Sequence, residues 1–190
     1  RVFSEGVPAY EDERMAATRK YTSGENDGKA RQLARYIKET GERYVDQLTV
    51  TLIFRNDRFG RGGDHSPFCE QGFTAVRICE YNENYDRTHK IPAIVNGVQE
   101  GDLPEYVDYE YVRKNAGMNL AVIANLAVAP MEPVNCGIVT GGLTNTTTLR
   151  WEAPAGGPNP SGYYVLMRET WQPLWERKIF VIGMEVTLPY

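Results

Sequence analysis

Two prolines, Pro130 and Pro133, divide the sequence into stretches that cannot share one architecture. Before them, helix-like and strand-like segments alternate. Gly24 to Gly28 is a polar turn, and Asp27 is placed to cap a helix carrying Ala30, Leu33, Ala34 and Ile37 at helical spacing and ending near Gly41. Leu48 to Phe54 and Phe73 to Cys79 are rich in β-branched and aromatic residues and predict strands, and Arg1-Val2-Phe3 reads like the middle of another. A loop, Arg55 to Asp64, and a short helix near Ser66 to Gln71 separate the two longer runs. Leu103 to Leu126 predicts a long helix through Val107, Val112, Met118, Val122 and Leu126, which the prolines stop. This order predicts an α/β fold, a mixed sheet with flanking helices.

After Pro133, Thr, Gly and Pro rise. Three strand-like runs follow, Thr146 to Trp151, Gly162 to Glu169 and Lys178 to Ile182, with turn signals between them. That pattern predicts an all-β sandwich. The expected domains are therefore 1-130 and 133-190. A sandwich of this kind needs about 90 to 100 residues, so the second is expected to be incomplete, with an open sheet edge.

A formal net charge of -4 on 190 residues supplies no clustered basic face, which argues against nucleic acid as a partner. The longest apolar run, Ala121 to Ala129, is broken by Asn125 and is far short of a membrane span. Cys69, Cys79 and Cys136 contain no Cys-x-x-Cys pair, against a structural zinc site; a Cys69–Cys79 disulfide and free thiols both stay open.

The chemistry lies between Arg58 and Lys90. A Gly-rich loop ends in Asp64-His65 after one predicted strand, and a second loop carries Glu80, Glu83, Tyr85, Asp86 and His89 after the next. In a parallel sheet both loops would lie at one edge, where ligands bind. The chain has two histidines, and neutral imidazole is a common metal ligand.

The spaced pattern Gly63-Asp64-His65-Ser66-Pro67-Phe68, Gly72-Phe73-Thr74-Ala75, Glu80, Tyr85 and His89 resembles the di-zinc exopeptidases of the bacterial leucyl aminopeptidase type, relatives of glutamate carboxypeptidase and glutaminyl cyclase. The segments 31–37 and 119–130 are similar to a bacterial branch of that family that continues into a fibronectin type III-like module. Trp151 and the Tyr163-Tyr164-Val165 run match strands of such a module.

The resemblance implies a secreted or periplasmic aminopeptidase that acts on peptide or protein N-termini with two zinc ions. It implies His89 as a direct metal ligand and Asp64 as a residue beside the metal that orients the groups around it. Arg61 and Tyr85 are implied as substrate contacts, and His65 as structural. The family's other ligands and its general-base Glu have no matching position, so they are expected upstream of Arg1, and the chain alone is expected to be inactive. Two other readings of the same resemblance are a receptor-like binding domain without catalysis and a glutaminyl cyclase-like acyltransferase.

Overall fold

The computed structural model describes residues 1–142 and 144–189, in two compact units divided between Ala124 and Asn125. The protein is of mixed α/β class, with four helices and several small sheets among the described residues.

The first unit is built on a three-stranded sheet. Strand β1 (Val2–Phe3) is central, parallel to β2 (Leu52–Ile53) and antiparallel to β3 (Arg77–Ile78). The strands are shorter than the runs that predict them. The register pairs Val2 with both Leu52 and Ile78, so only two positions of each run meet a partner.

Helix α1 (Glu13–Thr22) precedes helix α2 (Lys29–Tyr44). Helix α2 starts after Gly28, with Asp27 in a preceding 3-10 turn, and runs three residues past Gly41. Gly41 is in the helix for a packing reason: a Cβ there would lie 2.7 Å from Met118 Cγ. Helix α3 (Ser66–Glu70) follows the Gly-rich loop. Hairpin strands β4 (Ala93–Val95) and β5 (Val98–Glu100) join through Asn96-Gly97, both at positive φ, as a tight two-residue turn requires. Helix α4 (Tyr109–Ala127) is preceded by a separate 3-10 turn, Pro104–Tyr106, and ends ahead of Pro130. Val2, Ala34, Ile37, Val50, Met118 and Val122 form the core of this unit, fastening α2 and α4 to the sheet.

The second unit has two antiparallel sheets. Strand β7 (Thr146–Glu152) lies between β6 (Val134–Ile138) and β10 (Glu185–Pro189), while β8 (Tyr163–Met167) pairs with β9 (Arg177–Val181). Both sheets contribute to one core, Trp151, Val165 and Leu188. The Trp151 and Tyr163 rings meet edge to face at 5.3 Å.

No helix among the described residues is long and apolar enough to cross a membrane. Cys69 is buried, Cys79 half-buried and Cys136 exposed, and all three are free thiols.

Candidate functional site

The antiparallel pairing of β3 changes the geometry expected of a parallel sheet. The ends of β2 and β3 open at opposite edges, yet the loops that follow them meet, because charged side chains draw the second loop back toward the first.

The first loop, 54–65, is pinned from within. Asp57 is 6% exposed, and a buried carboxylate is tolerated only when it is paired. Arg77 at the start of β3 donates to both its oxygens, at 2.8 and 2.6 Å, and also to the Gly62 carbonyl at 2.8 Å. The Arg58 N–H donates to Asp57 Oδ1 at 2.7 Å. Burial pushes the Asp57 carboxyl upward, but these donors and the two guanidinium charges outweigh it and hold it below the ordinary aspartate value. His65 is buried, and its Nε2 lies 3.0 Å from the Asn56 carbonyl oxygen, which fixes the other end of the loop. A carbonyl can only accept, so Nε2 carries the proton there.

The second loop, 79–92, curls into a compact turn. Asn84 caps the 3-10 turn Tyr85–Arg87 by accepting from the Asp86 N–H at 3.0 Å. Thr88 Oγ1 closes the turn onto the Asn84 carbonyl at 3.1 Å. His89 follows at φ 55, a left-handed conformation uncommon outside glycine, and its N–H donates to Asp102 Oδ2 at 3.1 Å. Lys90 ties the turn to hairpin β4–β5 through Glu100 at 2.8 Å, and the Gly101 N–H donates to the Asp86 carbonyl at 2.8 Å.

The four candidates are distributed over these two loops. His89 is exposed, and its imidazole makes no hydrogen bond among the described residues. Asp64 is exposed in the Gly-rich loop, without a hydrogen bond among the described residues. Arg61 stacks over the Tyr85 ring at 5.5 Å, which brings two of the candidates into direct contact across the loops. Beside the second turn lies a hollow of about 620 Å³ lined by Glu80, Asn84, Thr88, Asp102 and Tyr106. The larger hollow of the first unit, about 990 Å³, is lined by Glu5, Tyr10, Met15 and Phe73 and includes none of the four.

Arg58 is the residue that sequence reasoning passed over. Its side chain, 10% exposed, forms an ion pair with Glu83 and lies 3.5 Å from Asp57. Burial works against its charge, but Glu83, Tyr85 and Asp57 overcome that and raise its pKa. Glu83 is also reached by Arg1 at 3.3 Å. A row of alternating charges therefore runs Arg77, Asp57, Arg58, Glu83, Arg1. The signal in the sequence is the run Arg55 to Arg61, where three arginines crowd one aspartate.

A zinc ion needs three or four protein donors. Among the described residues no three His, Cys, Asp or Glu side chains are grouped to hold a metal ion. The open imidazole of His89 suits zinc as one donor, and a centre built on it would draw its other ligands from outside that set.

Curated relatives match nearly the whole chain. It is 41% identical over 181 residues to a probable zinc metalloprotease of Phaeosphaeria nodorum, covering 95% of this chain and 36% of that protein. It is 41% identical over 191 residues to one of Leptosphaeria maculans, covering 100% of this chain and 44% of the relative. It is 40% identical over 186 residues to one of Pyricularia oryzae, covering 95% and 37%. The chain thus spans less than half the length of the curated relatives it matches. Neither a family model nor a solved structure matches it. Identity at this level over nearly the full chain supports a zinc metalloprotease family.

Proposed function

We propose that this chain forms part of a zinc-dependent aminopeptidase, in which His89 is a metal ligand and the other ligands come from the length of the relatives that it does not span. The observation that carries the reading is the join between similarity and geometry. Proteins about 40% identical over the whole matched length are named probable zinc metalloproteases. Within that length one imidazole stands exposed, in a constrained backbone conformation, on a turn fastened at both ends. Strained backbone that the surroundings hold in place gathers at functional sites.

When bound, a pair of zinc ions supplies an acidified water and polarises the scissile carbonyl. The residues of this chain have supporting roles. His89 fixes the position of one ion and moves no proton. Asp64 bonds no described residue, so its orienting role is toward groups outside them, a kind of contact whose loss costs about 10- to 100-fold in metal affinity or activity. Arg61 and Tyr85, held together by cation–π attraction, contact the substrate. The second unit is an accessory module of fibronectin type III-like kind, and the enzyme is secreted.

The exopeptidase part of the reading is tested in a chimera, with this chain replacing the matching segment of the Phaeosphaeria nodorum relative. Peptides with a free N-terminus are cleaved one residue at a time, and N-acetylated copies are not. Internal cleavage of the acetylated peptides would contradict the aminopeptidase assignment and leave a zinc endopeptidase.

A further inference from the structure

We propose that Arg58 is a positioning residue for His89: by bridging Asp57 and Glu83 it fixes where the turn carrying the imidazole stands relative to the loop carrying Arg61 and Asp64. Its functional meaning rests on the zinc reading of His89, while its structural content does not.

The two loops leave the sheet at opposite edges, so backbone pairing does not set their separation. Between them the contacts are few. Arg61 stacks on Tyr85, and that pair is exposed. Arg58 is the buried connection, reaching Asp57 on its own loop and Glu83 on the other. The side chains of Asp57, Arg58 and Glu83 are 4%, 10% and 11% exposed, so solvent screens them weakly. A charge-assisted contact of this kind is stronger and better directed than a surface pair.

From Glu83 the path to the imidazole is short and stiff. Asn84 caps the next turn, Thr88 bonds back to Asn84, and His89 follows, held on its other side by Asp102. Moving Glu83 therefore moves the turn as a body. Asp57 cannot follow such a movement, because Arg77 holds both its oxygens. Arg58 thus transmits the fixed position of the first loop to the second. A metal ligand misplaced by even a fraction of an ångström loses most of its value, which is why such supports matter.

The test uses the 190-residue chain and follows the NMR signal of the His89 backbone amide, which the bond to Asp102 holds in place. In Arg58→Gln and in Glu83→Gln the His89 signal moves toward the position of an unstructured histidine, and trypsin cleavage after Arg87 speeds up by about tenfold, as loss of one charge-assisted contact implies. The double variant displaces the signal no further than Glu83→Gln alone, because Glu83→Gln already removes the Arg58 contact together with that to Arg1. Met118→Ala, which lowers stability through the core, leaves the His89 signal in place. An unmoved His89 signal in either single variant overturns the proposal, as do displacements that simply add. No metal takes part, so this result and the zinc reading stand or fall separately.

Discussion

Asp57 binds the Gly-rich loop to the sheet, and its burial makes it costly to disturb. Asp57→Asn leaves Arg77 partly buried without its counter-charge and Arg58 with Glu83 alone. Breaking a buried pair from one side costs about 3–5 kcal/mol, which urea unfolding of the variant measures. The pH dependence follows from the depressed carboxyl of Asp57. A folded-state pKa below the unfolded value gives stability that is complete above the ordinary aspartate range and is lost as the pH falls through the folded value. The wild-type chain therefore loses stability in acid more steeply than Asp57→Asn, and parallel acid limbs would contradict this. Of these residues the sequence showed the carboxylate-and-arginine content but not the pairing. Asp64, His65 and His89 stand out by motif, whereas Arg58 and Asp57 acquire meaning only once β3 brings Arg77 against the loop.

Among the elements, the core-facing helices were the most legible. Apolar spacing marks α2 and α4, and the burial of Ala34, Ile37, Met118 and Val122 follows it, while Val112 and Leu126 of α4 stay exposed and Val107 lies ahead of the helix. Gly41 reads in sequence as the end of α2 and in structure as the close approach to Met118. Gly41→Ala therefore destabilises: overpacking costs about 1–3 kcal/mol, more than the roughly 1 kcal/mol gained in helix propensity. Thermal melting checks the sign, and the loss shrinks when Met118 is also truncated. Helix α1 was not legible because it buries no residue; it is held by the Asp12 cap to the Met15 N–H at 2.7 Å and by Arg19 pairing with Glu11 and Glu25. Strand β6 was hidden for a different reason. Its register shifts between Val134 and Gly137, with Asn135 at φ 53, so a bulge replaces the alternation that marks a strand.

At the scale of the whole molecule, each unit has its own apolar cluster, and all three tryptophans, Trp151, Trp171 and Trp175, belong to the second. Tryptophan fluorescence therefore reports that unit alone. Met118→Ala removes a side chain from the first core at a cost of about 2–5 kcal/mol. It lowers the helical transition followed by circular dichroism and leaves the fluorescence transition where it was; a shared shift would show that the units unfold together. The proposed zinc ligand is the imidazole of His89. The direct test is zinc content per chain, by atomic emission, in the chimera with the Phaeosphaeria nodorum relative. His89→Ala is predicted to lose zinc and peptidase activity together, whereas unchanged zinc and full activity in that variant would contradict the account.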